Sequence, residues 1–247
     1  MISVEAQLGD QYISTGLAAR SNGRLHEAGR YFQKALNEFA RVPDPAQRRA
    51  VLGPAALAFE SSGHHDLALV AVRDALVLDE QLHDHRHLAE DLLTQGNIQM
   101  QLGQVAEAEL SYERALASSL EHRHLDNAAS ASTNLAILLA NSSRLDEAIT
   151  QLQESLVYLQ EQPHLPTEIH TRLALIQAVD AAEADAAIAV DAARGLFARP
   201  SAPVDAPQWQ AVETAFRRCL GRYLAEHPEV DAAAWQAETF PQLFSST

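Results

Sequence analysis

The chain has 247 residues, of which 18 are Lys or Arg and 33 are Asp or Glu, for a formal net charge of −15, and 47% are hydrophobic. That negative balance repels phosphate backbones and anionic membrane surfaces, so neither nucleic acid nor a membrane is expected as a partner, and the apolar content exceeds that of a disordered chain. Cys219 is the single cysteine, which excludes an internal disulfide. The N-terminus lacks the basic start and apolar core of a secretory signal, and no run approaches the roughly 18 to 20 apolar residues of a membrane span, so the expected setting is the cytoplasm.

Residues 2–22 read as a first helix, with Ile2, Leu8, Tyr12, Thr15, Gly16 and Ala19 on or near its packed side, and residues 25–41 as its partner. A second pair opens at Asp44-Pro45, a capping residue followed by proline at the first helical position. Gly53-Pro54 falls inside that helix. Proline removes the hydrogen bond to the carbonyl four residues back and crowds it, which predicts a kink or a restart near residue 53.

The pattern is plainest between Leu92 and Leu116. Leu92, Gly96 and Gln99 lie at i, i+4 and i+7, and Ala108, Tyr112 and Ala115 repeat that spacing after a break at Leu102-Gly103-Gln104. Two helices flank one turn, with Gly103 suited to the left-handed residue that ends the first. Gly23, Gly63, Gly103 and Ser143 stand forty residues apart, which makes the hairpin an internal repeat. Each turn is followed by a small residue (Ala28, Ala68, Ala108, Ala148), a large one four on (Phe32, Val72, Tyr112, Leu152), and another small one (Ala35, Ala75, Ala115, Ser155). Before the turns stand Gly16, Ala56, Gly96 and Ala136.

At these residues the chain resembles the tetratricopeptide repeat family, and its forty-residue period is similar to the variant in kinesin light chains and bacterial regulators. The resemblance implies an all-α, right-handed superhelical solenoid of antiparallel helix pairs. Residues 1–198 are expected to form this array, with repeats at 9–42, 49–82, 89–122, 129–162 and 167–198. The fifth lacks a turn glycine. Ala198 to Pro207, ARPSAPVDAP, reads as a linker (199–207), and 208–247 as capping helices, one with Trp209, Val212, Phe216, Leu220 and Tyr223 on one side and a last short one near 230–238.

No catalytic constellation stands out, and no enzymatic activity and no cofactor are expected. Asp84-His85-Arg86-His87-Leu88 and Glu121-His122-Arg123-His124-Leu125 repeat each other where one pair hands over to the next. Their imidazoles invite a metal reading, but alternate residues on a helix point about 200° apart and no cysteine completes a set, so no metal site is expected. Cys219 has Arg217, Arg218 and Arg222 nearby, a setting that lowers a thiol's pKa unless the cysteine is simply packed.

The resemblance further implies that the first helices line a concave groove whose second, fifth, sixth, ninth and twelfth positions meet a protein or peptide partner. Carried onto this chain, that gives Leu93, Asn97 and Met100 in the third repeat, Thr133, Asn134 and Ile137 in the fourth, and Arg172 and Leu175 in the fifth. Asn97 and Asn134 offer both donor and acceptor to a peptide group. Arg172 stands at one basic position used by members that clamp a chaperone's C-terminal carboxylate, but Leu93 and Glu168 stand where lysines belong. The expected function is therefore a non-enzymatic interaction module that binds a peptide segment with apolar anchors. The alternative is a structural protein that self-associates into homo-oligomers through Trp209, Phe216, Trp235 and Phe240.

Overall fold

The structure is a computed structural model that describes residues 2–197 and 206–240. The chain falls into two compact units, 1–127 and 128–247, each taken by itself below. Among the described residues there are twelve helices and no strand.

The first unit holds α1 (Val4–Ser21), α2 (Leu25–Phe39), α3 (Pro45–Ser61), α4 (His65–Leu82), α5 (His85–Gln101), α6 (Val105–Glu121) and the start of α7 (Leu125–Asn141). α1 packs on α2, α3 on α4 and α5 on α6, as the alternation of small and large residues requires. Ala28, Ala68 and Ala108 have no exposed surface, and neither do Phe32 and Val72; Tyr112 is buried beside them. The small positions earlier in each pair let a ring lie on the backbone: a Cβ added to Gly16 would stand 2.4 Å from Cε1 of Phe32. α1 starts later than the hydrophobic pattern predicts. Ile2 and Thr15 are exposed, and the packed line is Ala6, Gly9, Gly16 and Ala19.

Asp44 caps α3 through its side chain, accepting from the amide of Ala46 at 3.0 Å. Of the kink or restart expected near residue 53, the restart is absent: α3 continues through Pro54 to Ser61. Its neighbours Leu52, Ala55, Ala56 and Phe59 are all buried, and this packing holds the helix together across the missing amide.

The second unit holds the rest of α7, then α8 (Leu145–Glu161), α9 (Leu165–Ala181), α10 (Ala186–Phe197), α11 (Ala206–Glu226) and α12 (Ala232–Thr239). Ser155 stands where the other repeats have alanine. Its hydroxyl donates to the Ala129 carbonyl at 3.0 Å and lies 2.9 Å from Thr133 Oγ1, which in turn lies 2.7 Å from Thr171 Oγ1. A buried trio of hydroxyls thus ties α7, α8 and α9. The expected linker at 199–207 lies outside the described residues up to 205, as do residues 241–247 of the expected cap. α11 packs on α9 and α10, and its Val212, Phe216 and Leu220 are buried.

The turns repeat more faithfully than the letters. Gly23, Gly63 and Gly103 have φ of 75°, 75° and 73°, Ser143 has 63°, and Glu183, forty residues further on, has 50°. In each case the next amide reaches back five residues, as in Arg24 to Ala19 (2.9 Å), His64 to Phe59 (2.9 Å), Gln104 to Gln99 (2.8 Å), Arg144 to Leu139 (2.9 Å) and Ala184 to Val179 (3.1 Å). This left-handed closure satisfies carbonyls at the helix end. The fifth pair therefore turns as the others do, without the glycine.

Candidate functional site

α5 buries Leu92, Gln95, Gly96, Ile98 and Gln99, which leaves Leu93, Thr94 and Met100 half-buried and Asn97 exposed. Tyr112, reaching over from α6, donates its hydroxyl to Oδ1 of Asn97 at 2.8 Å and so fixes the carboxamide. Burial, with Glu60 nearby, pushes the Tyr112 phenol up to about 12, and it stays protonated as a donor at any physiological pH.

The same helical position in the first two pairs carries Leu17 on α1 and Leu57 on α3, eighty and forty residues before Asn97. Leu17 is 37% exposed and Leu57 56%. α1 lies against α3, so this apolar row belongs to the same unit as Leu93, Asn97 and Met100. Both leucines lie outside the positions expected from the third to fifth repeats, yet they occupy the ninth place counted from Gly9 and Arg49, where the same positional pattern extended backward finds them.

In the second unit the expected residues fare differently. Thr133 is 1% exposed and engaged in the hydroxyl trio, and Leu175 is 2% exposed, so neither has surface to offer a ligand. Arg172 bonds Glu168 Oε1 through Nε at 3.0 Å, with Nη2 also at 3.0 Å. Its guanidinium lies against α10, since a Cβ on Gly195 would stand 2.1 Å from Cζ. Arg172 is a packing residue with its charge matched internally. Asn134 and Ile137 are half-buried on α7, and Ile137 borders a cavity of about 220 Å³ lined by Ala136, Ala140, Leu152, Ala174 and Ala178.

The histidine segments stack on each other within the first unit. His85 and His122 lie with ring centroids 3.7 Å apart and planes 12° from parallel, and Arg86 reaches Asp126 at 2.5 Å. Face-to-face imidazoles direct their lone pairs in parallel planes rather than toward one point, which disfavours a shared metal. Among the described residues no group of three or more His, Cys, Asp or Glu is placed to hold one.

Cys219 is buried, and burial pushes its thiol up despite Arg222 Nη2 at 3.4 Å. The arginines serve Asp180 instead: Arg218 approaches it at 2.5 Å and Arg222 at 3.4 Å, and the Arg218 hydrogen bonds hold its carboxyl below the usual carboxylate range. Of the two readings of Cys219, the packed cysteine fits its burial and raised pKa, and the activated thiol does not.

The four aromatic residues offered for self-association are largely turned inward. Phe216 and Phe240 have no exposed surface and lie 5.2 Å apart. Trp209 packs on Phe197 at 4.9 Å, and Trp235 lies between Tyr223 at 5.5 Å and the Arg194 guanidinium at 5.2 Å.

Among the described residues no helix is long and apolar enough to cross a membrane. Residues 92–122 match the tetratricopeptide repeat family model. No curated protein matches the chain in sequence. Among solved structures, the chain is similar to aspartyl phosphate phosphatase F from Bacillus subtilis, with 12% identity over 92% of this chain and 63% of that one and a TM-score of 0.68. The chain thus spans less than two thirds of that relative's length. A putative kinesin light chain with nearly identical tetratricopeptide-like repeats from Podosopora anserina matches at 14% identity over 89% of this chain and 97% of its own, with a TM-score of 0.56. A Rap protein complexed with Competence and Sporulation Factor matches at 14% identity over 94% of this chain and 69% of its own, with a TM-score of 0.57. Residues 92–122 thus carry a tetratricopeptide repeat, and the chain around them has the helix-hairpin fold of tetratricopeptide-repeat proteins.

Proposed function

We propose that the chain acts by binding rather than by catalysis, and that the first-helix face of its first unit takes a peptide segment of a protein partner through apolar anchors. The observation that carries this reading is the exposed row Leu17, Leu57 and Asn97, flanked by Leu93 and Met100. Large apolar side chains in contact with water at register positions of a repeat cost solubility unless something covers them. The two leucines supply the hydrophobic anchors, and Asn97 the polar contact that fixes a peptide group. In the second unit, Asn134 and Ile137 serve the same purpose on α7, with the alanine-lined cavity beside Ile137 accepting one side chain. The Rap protein held with Competence and Sporulation Factor supports the reading by fold alone.

Selection of a random peptide library against the whole chain tests it. Selected peptides should carry bulky apolar residues and lose about tenfold or more in affinity for the Leu57→Ala and Asn97→Ala double variant, as expected for truncating interface anchors. Selected peptides indifferent to both substitutions would end the proposal.

A further inference from the structure

One charged cluster is buried where the second and third repeats meet. Arg49 on α3 points into the interior with its side chain 11% exposed, and its Nε lies 2.5 Å from Oδ1 of Asp79 on α4. Its Nη2 lies 3.0 Å from Oδ2 of Asp91 on α5. The Asp79 side chain has no exposed surface and that of Asp91 is 8% exposed. One guanidinium thus sits between two carboxyls. If both were ionised, a net negative charge would remain in the interior, and both Oδ2 atoms are buried without a well-aligned donor. A single proton on Asp91, donated to Asp79, removes both difficulties.

The forty-residue shift shows that the fold does not impose this cluster. The position after Arg49 in the series is Ala89, after Asp79 Ser119 and after Asp91 Ala131, all buried and uncharged.

We propose that Arg49, Asp79 and Asp91 form a proton-operated latch between the second and third repeats, closed while the two carboxyls share a proton around the guanidinium and loosened when that proton leaves. α5 carries Asp91 on its buried side and Asn97 on its exposed side, so the latch sets how firmly that helix is held.

Burial drives the protonation, lifting Asp91 to about 7 against the pull of Arg49, with Asp79 adding to the rise. Burial likewise raises Asp79, and Arg49 opposes it. Two further groups face the cluster. Asp84 caps α5, and His87 in the first turn of α5 bonds it at 2.7 Å; burial raises Asp84, but the hydrogen bonds from His87 more than offset that and hold it low. The two carboxyls titrate as a pair. Because the folded Asp91 holds its proton above the ordinary carboxylate range, the folded chain binds more protons than the unfolded one from about pH 4 up to about 7. Stability from this pair is therefore greatest on the acid side of that window, falls as pH rises through it, and levels off above it.

Asp91→Asn keeps a donor for Asp79 and cannot ionise. Followed by far-ultraviolet circular dichroism at about pH 8.5, the variant should melt roughly 5 °C above the natural chain, with the gap closing toward about pH 5.5. A gap that is independent of pH, or a variant that melts lower at the higher pH, overturns the latch. Hydrogen exchange at the higher pH should show added protection concentrated in α3 to α5; a uniform gain along the chain also overturns it. If the variant does not fold, carboxyl carbon resonances of the natural chain decide. An Asp91 midpoint near neutrality supports the latch, and one in the ordinary carboxylate range refutes it.

Discussion

The ring of Tyr112 lies across the backbone of Gly96 so closely that a Cβ there would stand 2.4 Å from Cε1. The same tyrosine then bonds Asn97, so one side chain both packs the hairpin and sets a residue of the proposed binding face. Gly96→Ala should lower stability by about 1–3 kcal/mol, since the ring can leave only by opening the joint between α5 and α6. Adding Tyr112→Leu should recover part of the loss in a thermal melt. Tyr112→Phe should leave the fold nearly untouched and remove the hydroxyl bond to the Asn97 carboxamide, which would show as weaker binding of a selected peptide.

The fifth turn offers a gain rather than a loss. Glu183 holds φ of 50° with a side chain that the left-handed region disfavours. Glu183→Gly should raise stability by roughly 0.5–1 kcal/mol, and Ser143→Gly similarly, both read from denaturant midpoints at unchanged slope.

Much of this fold was legible because close helix contact demands small residues at fixed places, and Gly16, Ala28, Gly96 and Ala108 announce them. The fifth repeat was harder to read because backbone closure at Glu183 relies on hydrogen bonds that any residue can make, not on glycine alone. Pro54 does not restart the helix, since tertiary packing of Leu52 and Phe59 outweighs a local preference that favours a break. The site was less legible than the fold. A positional rule marks which helix face a residue occupies, but Thr133 and Leu175 are covered by neighbours that no single helix reveals, and Arg172 is turned against Gly195 of α10.

Thr133 separates packing from binding. Thr133→Val keeps its shape and removes a hydroxyl that meets Ser155, Thr171 and the Ala129 carbonyl. It should cost about 1 kcal/mol in stability, because its partners lose a buried hydrogen bond, and leave the affinity for a selected peptide unchanged.

Cys219 should resist thiol reagents in the native chain and react at once on unfolding, as its raised pKa and burial both dictate. Asp180 gives the acid-side counterpart. Its folded pKa is depressed by Arg218, so its contribution is present above the ordinary carboxylate range and is lost as pH falls through the folded value. Asp180→Asn should flatten the acid limb of the melting profile and make little difference to its slope near neutrality.

The aromatic cluster of the second unit has a practical corollary. Trp209 and Trp235 are the chain's two tryptophans, and both fall after residue 127. Tryptophan emission, excited selectively at the red edge, is accordingly blind to half the molecule: such a melt reports when the surroundings of α11 and α12 come apart and is silent on α1 to α6. An indole placed at Tyr31 or Phe59 would give the first unit a voice of its own, and two midpoints in place of one would reveal whether the halves let go together.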